Sequence, residues 1–161
     1  MSITKKILIG LLGVFIIIQF IKPDKNQSDA VTPNDIFANF QSENSTKQLI
    51  RTACYDCHSN NTVYPWYAEI QPLAWWLADH VKEGKSELNF SEFATYKPKK
   101  ADHKLEEVIE MIQEGEMPLK SYTLIHDNAK LSDGQKKAII TWAEGLRSQI
   151  QPNIIDLTGL R

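Results

Sequence analysis

The chain has two cysteines in 161 residues, three positions apart and followed directly by a histidine: Cys54-Tyr55-Asp56-Cys57-His58. A pair that close cannot staple distant segments, so a packed core rather than a disulfide framework must hold this protein together. C-x-x-C-H is the spacing of c-type haem attachment. Two thiols at that separation can form thioethers with the two vinyl groups of one porphyrin, and the adjacent imidazole is then held under the iron. Two other chemistries use the same pair. A thioredoxin-like thiol couple wants a βαβ pattern around it, which is absent. A zinc-bound interaction module wants two further ligands beside Cys54 and Cys57, and His80, His103 and His126 show no partner spacing that supplies them.

A chain of this length is about one domain. With 18 Lys+Arg against 20 Asp+Glu the net charge is −2, so there is no basic field to draw in nucleic acid, and none is expected as a partner. Hydrophobic residues at 42% and charged ones at 24% are figures of a chain that folds.

Residues 7–21, ILIGLLGVFIIIQFI, carry no charge and follow Lys5 and Lys6. As a helix the run spans roughly 22 Å, against a hydrocarbon core of ~30 Å, which suits a signal h-region or a short anchor. Ser28-Asp29-Ala30 is a poorly placed cleavage site, nine residues beyond the run, and no cysteine stands where lipid attachment would need one. Residues 1–21 are therefore read as an uncleaved signal anchor in the cytoplasmic membrane, with everything after Ile21 on the periplasmic or outer side. Residues 22–44 read as a polar linker, with Ile36, Phe37 and Phe40 packing back onto the domain. Residues 45–150 form the domain, and 151–161 a tail.

The domain is expected to be all-α, with about four helices. Ser45-Thr46-Lys47-Gln48 has the form of a capping box opening a helix that runs into Cys54. A second helix carries Pro72 in its first turn and stops at Gly84, with Leu73, Trp76, Leu77, His80 and Val81 on an inward stripe. A third, over 102–113, buries Leu105, Val108, Ile109 and Ile112 and stops at Gly115. Ser132 and Gln135 box the fourth, whose inner face is Ile139, Trp142, Ala143 and Leu146. Residues 85–101 lack periodicity and read as a solvated loop.

Across the iron from His58, Met117 is the leading second ligand: it follows a helix end, Pro118 favours an extended backbone there, and no packing role is evident. A soft thioether raises the reduction potential relative to two nitrogens. Met111 is read as core. His80 is the rival, on its inward face beside Trp76; His126 reads as a loop residue and His103 as solvated. Tyr64, Trp66, Tyr67, Trp75 and Trp76 crowd the sequence after the motif and are candidate walls for a flat cofactor, and Pro65 or Pro72 could offer a carbonyl to the Nδ1 hydrogen of His58.

With these residues in view, the chain resembles a family of bacterial exported haem-binding domains of cytochrome c type, over roughly residues 45–145. The resemblance lies in Cys54, Cys57, His58, Ser59 and Asn60; in Pro65-Trp66-Tyr67; and in Trp75, His80, Val81 and Gly84. It continues through Asn89-Phe90-Ser91, Gly115-Glu116-Met117-Pro118, Tyr122, His126, Ala129-Lys130-Leu131-Ser132 and Trp142. Leu119 and Asp127 depart from it, standing where many members have proline. The resemblance implies one covalent haem c in a small helical domain, often behind an N-terminal membrane segment. The reading is a monohaem electron carrier with redox protein partners. The competing readings are a haem peroxidase or gas sensor with a labile distal ligand, and the zinc module.

Overall fold

The computed structural model describes residues 1–28 and 32–158, with 153 and 155–158 in backbone only. Every regular element among them is helical, as expected. In chain order these are α1 (Ile3–Ile18), α2 (Ile36–Asn39), α3 (Asn44–Ala53), α4 (Tyr55–His58), α5 (Leu73–Glu87), α6 (Pro98–Glu114), α7 (Lys120–Thr123) and α8 (Asp133–Thr158), with 3-10 turns at 66–69, 90–95 and 127–129. Ala30, at the rejected cleavage site, and residues 159–161 lie outside the described residues.

The core is built on α6 and α8, the most extensively packed pair. Leu105, Ile109 and Ile112 recur along α6 with helical spacing and meet Ile139, Ala143, Leu146 and Ile150 of α8; Ile50 of α3 and Ile36 of α2 close the same cluster. The ends of these helices follow local chemistry. Pro98 sits in the first turn of α6, where its missing N–H costs nothing, and Gly115 ends the helix at φ +74°, a left-handed turn that glycine enters without strain. Before α8, Ser132 N–H donates to Gln135 Oε1 at 2.8 Å, and Gln135 N–H donates to Ser132 Oγ at 3.4 Å, a reciprocal box.

Elsewhere the pattern misleads. The box expected at Ser45 does not form: the N-cap of α3 is Glu43, with no side-chain cap bond. Gly84 does not stop α5, which continues to Glu87. The buried face of that helix is Ala74, Leu77 and Val81, while Leu73 and Trp76 are 45% and 43% exposed. Residues 85–101 are not a solvated loop; they finish α5, form a 3-10 turn and begin α6, and Phe90 and Phe93 are the largest fully buried side chains described. The tail begins within α8 rather than after it.

The stretch read as a linker is hydrogen-bonded to the domain. Asn26 N–H donates to the Tyr64 hydroxyl at 2.7 Å, and its side-chain amide donates to the Ser59 carbonyl and to Thr62 Oγ1, both at 2.9 Å. Ile36, Phe37 and Phe40 pack on the core as expected. No described helix is long and apolar enough to cross a membrane. α1 itself has 16 residues, and the fold gives no support for the membrane-spanning helix expected from residues 7–21.

α6 and α8 are also clasped by charge. Arg147 donates through Nε to Asp102 Oδ1 at 2.9 Å and through an Nη to Glu106 Oε1 at 2.9 Å. The Arg147 hydrogen bond holds the Asp102 carboxyl below its ordinary range, so its stabilisation is present above the unfolded value and is lost as pH falls through the depressed folded one. Arg147→Met is expected to lower unfolding free energy at neutral pH by about 1–2 kcal/mol. The gap from the parent should narrow well below pH ~4, as read by urea denaturation across pH.

Candidate functional site

α3 delivers the chain into the motif, and the Cys54 carbonyl accepts from the N–H groups of Cys57 at 3.2 Å and His58 at 2.9 Å, winding it into the single turn α4. α5 lies against that turn. The contact is close because it happens at Gly84: a Cβ there would stand 2.7 Å from the Cys57 carbonyl oxygen and 3.1 Å from Cys57 Cβ. Running on past Gly84, α5 is followed by its C-cap Leu88, whose carbonyl lies 3.0 Å from His58 Nδ1. A carbonyl can only accept, so Nδ1 carries the hydrogen and Nε2 is left with the free lone pair. Burial pushes the His58 pKa down, against smaller upward pulls from the Leu88 and Gly84 carbonyls and from Glu87. The ring is held neutral. Leu88, rather than Pro65 or Pro72, orients the histidine.

His58 borders a cavity of about 400 Å³ with a mostly apolar wall. Cys54, Leu88 and Phe90 lie on the motif side, Val108, Met111 and Ile112 come from α6, Met117, Pro118 and Leu131 lie beyond them, and Glu87, Lys104, Glu107 and Glu110 add charge to the lining. Met117 thus shares a cavity with His58. After the left-handed turn at Gly115, the N–H groups of Glu116 and Met117 both donate to the Met111 carbonyl, at 3.0 and 3.1 Å, folding the segment back onto the end of α6. Met111, read from sequence as core, borders the same cavity. At the rim, burial opposes the charge of Lys104, but salt bridges to Glu107 at 2.6 Å and Glu87 at 3.1 Å outweigh it and raise its pKa.

Of the two cysteines, Cys54 borders the cavity and Cys57 packs beside Ala68, Leu77, Val81 and Tyr64. Both cysteines are partly buried. Burial, then the neighbouring Cys57, pushes Cys54 up to about 12; burial, then Asp56, pushes Cys57 up to about 11. Asp56, between them, bonds to two other parts of the chain, accepting from the Tyr122 hydroxyl at 2.6 Å and from Val63 N–H at 3.0 Å.

The other histidines lie elsewhere. His80 is not among the cavity's lining residues; its ring contacts Trp76 at 4.3 Å between centroids and its Nδ1 lies 2.9 Å from the Trp76 carbonyl. His126 stacks on Tyr122 at 4.1 Å. His103 is largely exposed and lies 3.2 Å from Glu107. None of the five aromatics that follow the motif lines the cavity. Its aromatic wall is Phe90, a residue inside the supposed loop.

A comparison with family profiles matches residues 13–145 to the haem-binding domain. The chain belongs to the haem-binding domain family. No curated protein and no solved structure matches it. The donor set of this haem-binding domain fits such a cofactor: a neutral imidazole with Nε2 free, an apolar cavity and a thioether on its wall. It does not resemble a zinc centre. Among the described residues no three His, Cys, Asp or Glu side chains gather as a metal-binding group.

The contact at Gly84 is open to test. A mid-helix Gly→Ala change ordinarily gains helix stability, but here the methyl would meet backbone that cannot swing away. Gly84→Ala is expected to lower unfolding free energy by about 1–3 kcal/mol. An unchanged or higher melting temperature would refute the close approach.

Proposed function

We propose that this haem-binding domain is a monohaem cytochrome of c type, tethered to the cytoplasmic membrane through residues 7–21 and carrying single electrons between redox proteins on the periplasmic or outer side. The observation that carries the reading is the Leu88 carbonyl on His58 Nδ1 beside a cavity that Met117 also borders. Haem, when bound, supplies an iron that gains and loses one electron. The chain supplies everything else. Cys54 and Cys57 would hold the porphyrin as thioethers, the bond to Leu88 leaves His58 Nε2 free to hold the iron, and Met117 would offer the second ligand. Leu88, Phe90, Val108, Ile112 and Leu131 exclude water, which together with a thioether ligand favours the reduced state. With His58 and Met117 both holding the iron, turnover of a substrate there would be disfavoured, which separates this reading from a peroxidase or a gas sensor.

Production with a cytochrome c maturation system is expected to give a band that stains for haem after denaturing electrophoresis. Cys54→Ala with Cys57→Ala should abolish the stain. The oxidised protein should show a sulfur-to-iron charge-transfer band that Met117→Ala removes and Met111→Ala leaves. Loss of the band in Met111→Ala alone would move the ligand to that residue, and high-spin iron with fast carbon monoxide binding in the parent would replace the carrier with the sensor or peroxidase.

A further inference from the structure

The end of α1 is fastened to the domain rather than strung from it. Gln71, whose side chain is almost wholly buried, receives it. The Gln71 N–H donates to Gln19 Oε1 at 3.0 Å, and the Gln71 side-chain amide donates to the Ile21 carbonyl at 2.8 Å. The Trp75 indole N–H donates to the same carbonyl at 2.9 Å. Lys22 and Lys25 both pair with Glu69 just beyond. A joint with this many bonds fixes the first turn of α5 beside the last apolar residues of the N-terminal run.

The entry to α5 is apolar where it meets solvent. Ile70, Leu73 and Trp76 are all exposed, and Phe20 and Ile21 across the joint are exposed too. These are neighbours in the chain of the very residues, Gln71 and Trp75, that grip Ile21, so exposed apolar side chains flank the joint on both sides. They also meet a shortfall. The 16 residues of α1 give roughly 24 Å of helix, about 6 Å less than a ~30 Å hydrocarbon core. Tryptophan beside aliphatic side chains at the end of such a segment is the composition that settles at the boundary between acyl chains and headgroups.

Resting on the reading of residues 7–21 as a membrane segment, we propose that the face formed by Ile70, Leu73 and Trp76 is a lipid-contact surface that seats the haem-binding domain directly on the bilayer. The domain then has one fixed attitude toward the membrane, and the tether does not let it swing.

The test is photolabelling of the full chain in phosphatidylcholine vesicles containing a diazirine phospholipid, with adducts placed by tandem mass spectrometry. Label is expected on residues 7–21 and on 70–76, well above the level on α8. Leu73→Ser with Trp76→Ser should cut the 70–76 label several-fold while residues 7–21 keep theirs; retention of the haem spectrum shows that this variant is folded. Label on 7–21 with only the α8 level on 70–76 overturns the seating, leaves the membrane segment standing and makes the face available to a protein. Label on neither overturns both.

Discussion

The hydrogen bond between His58 Nδ1 and the Leu88 carbonyl joins residues 30 apart in sequence, and the rest of the site depends on how the chain brings that carbonyl home. An acceptor on Nδ1 fixes the tautomer, and burial keeps the ring neutral. Both follow from the path of α5. It must lie close enough on α4 that Gly84 touches the Cys57 backbone, and it must run one turn further so that its end reaches His58. A bulkier residue at position 84 would push the helix away and take the carbonyl with it. The glycine that punctuates the sequence there is a contact, not a stop.

Much of the scaffold is legible because its signals are local. The spacing of Leu105, Ile109 and Ile112, the left-handed turn at Gly115 and the Ser132–Gln135 box each depend on a few neighbouring residues, and each stands as read. What the pattern conceals is set by distant packing. Phe90 and Phe93 sit in a 3-10 turn too short to show a period, although they are the largest fully buried side chains described. The Ser45 box loses to a helix capped two residues earlier, at Glu43. His80 looks inward because Leu73, Trp76, Leu77 and Val81 make a persuasive stripe. The helix is rolled so that Leu77 and Val81 of that stripe are buried together with Ala74, which leaves Leu73 and Trp76 outside. A helix with two apolar sides gives no single inward direction.

The site residues divide along the same line. Cys54, Cys57, His58 and Met117 announce themselves by type and spacing, and the cavity gathers Cys54, His58 and Met117. Leu88 acts through a backbone carbonyl, which any residue carries, so no reading of side chains could single it out. Met111 is a methionine on an apolar helix face, and only the direction of that face distinguishes cavity wall from core. The Lys104 pairing with Glu87 and Glu107 needs α5 and α6 side by side before it exists.

The segment that carries Met117 is held from both ends, and one of the holds lies inside the motif itself. At its start the Met111 carbonyl takes two N–H groups; at its end α7 presents Tyr122, whose hydroxyl donates to Asp56. Asp56 sits between the two cysteines, so the turn that presents the thiols and His58 also positions the loop opposite. Burial, with the bond to Asp56 next in weight, raises the Tyr122 pKa far above its ordinary value, so the hydroxyl remains a donor throughout the physiological range. The carboxylate also takes the Val63 N–H, which uses its second oxygen to pin the segment leaving the motif. One short side chain thereby ties the turn that carries His58 to the segment that follows Met117.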